Sequence, residues 1–190
     1  MGNKNFKNGE ILIDKISVGL RYMRSAYQNV VEEVKNLKGI EEAVALAMER
    51  EKEARDFYLS KAALMGIPKF KELYEYLANE EVKHLGYLEE YREKRKLPVT
   101  VTEIPSGQSF TPEFDIGRIK VGEITLGDAG ILVAALRHER KSEDFYSEVA
   151  KKVEDESLRK FFVMLAGYER SHYELIDSFL EEITRFRMQT

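Results

Sequence analysis

The chain has 190 residues, 43% of them hydrophobic and 34% charged, enough for one well-buried domain written in a helix-forming alphabet. Its net charge of -4 offers no basic surface for nucleic acid, and a sequence without cysteine excludes disulfides, zinc–thiolate sites, iron–sulfur clusters and thiol chemistry, so any redox activity must come from a bound metal. The start, Met1-Gly-Asn-Lys-Asn-Phe6, has no apolar core for a signal peptide and no Ser or Thr at the sixth position for myristoylation, and no apolar run approaches membrane-spanning length, so the chain reads as cytoplasmic with no membrane partner.

The first element is an amphipathic helix from about Ile11 to Leu37. Ile16, Leu20, Met23, Tyr27, Val30, Val34 and Leu37 recur at steps of four and three and stop before Gly39. Its seam predicts a core or subunit contact, over the outside of its own bundle or over a neighbour, and nothing in it suggests chemistry. A second helix is expected from about 40 to 65 and a third from 68 to 95. Gly66-Ile67-Pro68 forms the turn between them, because glycine suits a helix end and proline a first helical turn. The run Glu89 to Lys96 reads as a solvated helix end.

Residues 96–125 contain Pro98, Pro105, Pro112 and the β-leaning Val99-Thr-Val-Thr102, and cannot be one helix. A connector of that length, at up to about 3.3 Å per residue, can run the whole bundle and return the chain to its starting end. The helices on either side of it would then be parallel. The fourth and fifth helices are expected from about 126 to 153 and from 156 to 186, with Asp155 or Ser157 capping the last. The expected organisation is an N-terminal helical extension, 1–39, followed by an all-α four-helix bundle, 40–190. That bundle comprises hairpins 40–95 and 126–186 and one long crossover connection.

Within this frame two units stand out, Glu81-Val-Lys-His84 and Glu169-Arg-Ser-His172, each preceded thirty residues upstream by a glutamate, Glu51 and Glu139. Residues 51–91 laid over 139–179 without a gap match identically at Glu51, Asp56, Phe57, Tyr58, Ala62, Leu77, Ala78, Glu81 and His84, which is an internal duplication with an 88-residue period. Residues three apart share a helix face, so each Glu-x-x-His pair can point at one centre. Each hairpin folds midway between its two glutamates and so brings them to one height, roughly 20 Å from its turn. Four carboxylates and two neutral imidazoles balance the charge of two divalent ions, and that donor set suits iron or manganese better than copper or structural zinc. Metal removal would leave four repelling glutamates.

The ligand kit, with Tyr58 seven residues after Glu51 in an Asp-Phe-Tyr triplet and Tyr146 repeating it after Glu139, resembles the rubrerythrin branch of the ferritin-like di-iron carboxylate proteins over residues 40–186. The resemblance implies a ferritin-like bundle holding two iron ions per chain, with manganese or a mixed pair as alternatives. Glu51 and Glu139 would be terminal ligands, Glu81 and Glu169 bridges, and His84 and His172 the nitrogen ligands. It implies an oxidoreductase, a peroxidase or oxidase of hydrogen peroxide or oxygen of the kind used against oxidative stress. A homo-oligomer is expected. Rubrerythrins typically carry a cysteine-ligated iron domain, which this chain lacks, so electrons would come from a separate donor protein. Ser142 occupies the place where many rubrerythrins have an extra glutamate, and it aligns with Ala54 in the first half. The site is thereby more symmetric and nearer to a ferroxidase centre, so iron handling by a ferritin-like protein stands as an alternative, as does a metal-stabilised structural bundle.

Tyr58 and Tyr146 lie two turns from Glu51 and Glu139, about 20° off the same line. They can bond to ligands or line an oxidant pocket; the bland alternative is a pair of core tyrosines. Asp56 and Asp144 sit about 140° from the ligand face and read as solvated or cross-helix charges. His138, pointing about 100° away from Glu139, reads as a surface histidine.

Overall fold

The computed structural model describes residues 24–95, 97 and 126–188, with the backbone alone at 126 and 185–188. Five helices account for nearly all of them: α1 (24–36), α2 (Ile40–Leu64), α3 (Pro68–Lys94), α4 (Leu126–Lys152) and α5 (Glu156–Met188). No strand occurs among the described residues. The boundaries of α2 to α5 fall within about two residues of those expected from sequence, because local chemistry sets them. α2 stops where Met65 turns extended, Ile67 is extended before proline, and Pro68 opens α3. α3 ends on Arg95, the one non-glycine residue with positive φ (52°) among those described. At the second turn, the Asp155 carboxylate accepts the Leu158 backbone N–H at 2.8 Å, so Asp155 and not Ser157 caps α5.

α2 packs along α3 and α4 along α5, and the hairpins also meet where α2 crosses α4. The core is split in two. One cluster gathers Val44, Ala47, Phe145, Val149, Phe161 and Leu165; the other gathers Tyr58, Phe70, Leu73, Leu77, Ile176 and Phe179. Between them lies a polar layer. Leu132, near the start of α4, packs in the same cluster as Ile67 and Phe70 by the α2–α3 turn, whereas Val149 near its end packs with Ala43 at the start of α2. α3 and α4 are therefore parallel, as expected. Apart from Leu97, the connector, with its three prolines and the Val99–Thr102 segment, lies outside the described residues, as do Ile11, Ile16, Leu20 and Met23 of the N-terminal helix.

The described part of that helix, α1, packs on the outside of its own bundle. Val30 and Val34 are buried in the first cluster, Tyr27 donates its hydroxyl proton to Glu148 at 2.6 Å, and Lys152 Nζ donates to the carbonyls of Val34 and Lys35 at 2.7 and 3.0 Å. The lysine thus joins the Leu37 N–H on the Val34 carbonyl and reaches the Lys35 carbonyl in the last turn of α1. Among the described residues no helix is long and apolar enough to cross a membrane.

Candidate metal centre

The polar layer consists of the six residues singled out by the duplication. Glu51 comes from α2, Glu81 and His84 from α3, Glu139 from α4, and Glu169 and His172 from α5, and none is more than 3% exposed. His84 Nδ1 lies 3.4 Å from Glu51 Oε2, 3.2 Å from Glu81 Oε2 and 3.2 Å from Glu169 Oε1. His172 Nδ1 lies 3.6 Å from Glu81 Oε1 and 3.5 Å from Glu139 Oε2. Two clusters result, Glu51–Glu81–His84–Glu169 and Glu81–Glu139–Glu169–His172, each with its donor atoms within 4.8 Å of one another. Glu81 and Glu169 belong to both.

These clusters can hold metal ions. Two donors at about 2.1 Å from one cation, at octahedral to tetrahedral angles, stand about 3.0 to 3.4 Å apart, close to the spacings found here. Each of the four glutamates also keeps one buried oxygen with no hydrogen-bond partner, and so does His172 Nδ1. Orphaned buried acceptors are costly in a folded protein, and a cation among them removes that cost.

Without a cation, protons take its place. Burial raises the Glu81 and Glu169 carboxyls well above their ordinary range, and the charges of neighbouring glutamates push them further. Burial acts the same way on Glu51 and Glu139, but there it is outweighed. The His84 imidazole, 3.4 Å from its Oε2, holds Glu51 below its usual value, and the His172 imidazole, 3.5 Å from its Oε2, brings Glu139 down to about 2. Burial opposes charge on His84, yet the carboxylates of Glu169, Glu51 and Glu81 gathered around its Nδ1 raise it well above 6.5. The four mutually repelling charges expected of the metal-free site are thus relieved by protons on the two shared carboxylates and on His84.

Tyr58 and Tyr146 do bond to ligand glutamates, each across the hairpins. Tyr58 on α2 donates to Glu139 Oε1 on α4, and Tyr146 on α4 donates to Glu51 Oε1 on α2. Burial and the carboxylate charge beside each phenol push it far above its usual range, so both stay donors at neutral pH. One residue outward the crossing repeats: Arg50 lies 4.4 Å over the Phe145 ring, and His138 stacks on Phe57 at 5.9 Å. His138 is therefore not the surface histidine expected from its angle. It is half-buried, its Nδ1 is buried without a hydrogen-bond partner, and its ring packs against Phe57 and Tyr58, because α2 lies across that face of α4. Asp56 is exposed and pairs with Arg55, the solvated role expected of it, whereas the Asp144 side chain is only 15% exposed and pairs with Arg140 of its own helix.

Glu80 was passed over in the sequence. It is 8% exposed, and one of its oxygens lies within 4.8 Å of a ring nitrogen of His84 and of His172. The duplication hides it, since its counterpart is Tyr168; its position four residues before His84, on the same helical face, is the signal that could have found it. It lines a pocket of about 320 Å³ with Tyr76, Lys83, His84, Tyr87 and Tyr168, which brings the surface to the ligand layer.

No family model and no curated protein matches the chain. Among solved structures, a hypothetical protein from Pyrococcus furiosus has a TM-score of 0.58 with 23% identity, over 80% of this chain and 96% of that one. That likeness is one of fold.

Proposed function

We propose that the chain is a ferritin-like, rubrerythrin-type di-iron carboxylate oxidoreductase that reduces hydrogen peroxide, or oxygen, with electrons from a separate donor protein. The observation that carries this reading is the pair of four-residue clusters sharing Glu81 and Glu169. A mononuclear site needs no such sharing. Two ferrous ions held there would supply the two electrons that, with two protons, take hydrogen peroxide to two waters. The chain contributes the surroundings. Tyr58 and Tyr146 hold one oxygen each of Glu139 and Glu51, leaving the second oxygen of each, which has no other partner, turned inward for a cation. The apolar clusters on both sides keep bulk water from the layer, which strengthens every charge interaction inside it. The pocket at His84 gives a small molecule a way in.

One observation favours a second reading, iron oxidation and handling. Ser142 and its counterpart Ala54 are both buried, at 4% and 3% exposure, so neither α4 nor α2 adds a carboxylate one turn beyond its own ligand glutamate. Anaerobic mixing of the di-ferrous protein with stoichiometric peroxide, and separately with oxygen, tests both. Faster oxidation by peroxide, with turnover only when a reductant is added, is expected. Faster oxidation by oxygen with iron accumulating beyond two per chain would establish iron handling, and reaction with neither would leave a structural role.

A further inference from the structure

His84 directs Nδ1 at three carboxylates and leaves Nε2 buried with no partner. Once Nδ1 binds a cation the ring is neutral and its single proton must sit on Nε2. The centre then contains a buried N–H donor with nothing to accept it, and such donors are expensive to leave unmet. Glu80 is the carboxylate within reach. It shares the α3 face of His84, is itself more than nine-tenths buried, and brings an oxygen within 4.8 Å of the imidazoles. In this structure it pairs with Lys83 Nζ, whose side chain is 58% exposed and loses little by returning to water. The second hairpin cannot supply the same group, because Tyr168 stands at the equivalent place and lies with its ring 5.0 Å from that of His84.

We propose that Glu80 is the positioning residue of His84: on metal binding its carboxylate turns from Lys83 to accept the His84 Nε2–H, fixing the tautomer and the ring so that Nδ1 stays aimed at the shared carboxylates. The inference rests on the two-cation reading of the centre. Glu80 touches no cation. It acts on one ligand from outside, as carboxylates behind metal-bound histidines do, and losing such a partner typically costs about 10- to 100-fold in metal affinity. The pocket supplies the water with which an unprotected Nε2–H would exchange.

Co(II) is the probe. The wild-type protein should bind two ions per chain and show two paramagnetically shifted, exchangeable ring N–H signals, one per ligating imidazole. In E80A, affinity should fall by about 10- to 100-fold, and one of the two signals should exchange faster with water while the other is unchanged. E80Q, which keeps an accepting oxygen, should recover slow exchange and most of the affinity. K83M frees Glu80 without removing it and should bind at least as tightly as wild type. If K83M copies E80A, Glu80 acts through its ion pair, and the proposal is overturned. It is equally overturned if both N–H signals in E80A are unchanged or both change alike. Should E80A fail to fold, E80Q and K83M decide alone, with weak binding by either counting against the proposal. Failure of the wild-type protein to bind Co(II) would overturn the dinuclear centre itself, whereas two bound ions with E80A indistinguishable from wild type removes only Glu80.

Discussion

The α2–α3 and α4–α5 hairpins present the same three ligands at the same level, and the Phe-Tyr pairs that cross between them are also identical, Phe57-Tyr58 and Phe145-Tyr146. One residue outward they part. Arg50 stands where the second hairpin has His138, Tyr74 where it has Phe162, and Glu80 where it has Tyr168. Among the positions that agree, Glu51 meets Tyr146 and Glu139 meets Tyr58, contacts that lie inside the symmetric unit. Tyr74 and Phe162 still make the same contact, each stacking on its own hairpin's crossing tyrosine, but the other two differences touch something on one side only. Arg50 pairs with Glu33 of α1, a helix with no counterpart among the described residues, and Glu80 faces the pocket. The ligand layer is constrained by chemistry that both halves must supply, and the shell around it by packing that only one half meets.

The largest test of that symmetry removes the shared pair. Replacing Glu81 and Glu169 together with alanine takes two donors from each cluster, and elemental analysis should find the two ions per chain of wild type reduced to none. One ion per chain in wild type, or unchanged loading in the double variant, would break the dinuclear reading.

Metal removal should cost about 4 kcal/mol of stability for each ion when free metal stands a thousandfold above its Kd, and the loss should grow with pH. In the metal-free protein Glu81 and Glu169 hold protons more tightly than the unfolded chain does. Their contribution is whole below the ordinary 4.5 and disappears as pH rises through their raised values. His84 acts in the same direction above 6.5. Glu51 and Glu139 contribute above 4.5 and lose that contribution as pH falls, toward about 2 for Glu139. Metal displaces the protons on the shared carboxylates and on His84. Thermal unfolding across mildly acidic to mildly alkaline pH should therefore show the metal-free protein weakening as pH rises while the loaded protein does not.

The crossed tyrosines sharpen the comparison. Tyr58→Phe and Tyr146→Phe each strip a donor from a buried ligand carboxylate, a bond to a charged group of about 1.5 to 3 kcal/mol. The two variants should lose metal affinity equally. A large difference between them in a metal titration would show that the two positions are not equivalent. The smallest effect belongs to the turns, where the halves differ most: Asp155→Ala should lower the melting temperature by the loss of one helix cap, about 1 kcal/mol. The α2–α3 turn, opened by Pro68 without a side-chain cap, offers no corresponding substitution.

The helix limits, the parallel course of α3 and α4 and the six clustered residues were all legible in the chain, since each follows from spacing along one backbone. Three residues set a helical face, thirty set the height across a hairpin, and 88 repeat the unit. What passes between the hairpins was not legible. Tyr58 sits two turns from Glu51 on its own helix, yet its hydroxyl reaches Glu139; His138 points away from the ligand line and is covered by Phe57; Glu80, unrepeated, comes within 4.8 Å of the imidazoles. A helix fixes the direction in which each side chain leaves it, but the group met there depends on the rotation and separation of two packed hairpins. Those are set by the fit of the whole core, to a fraction of a side chain's length, and no periodicity in the sequence encodes them.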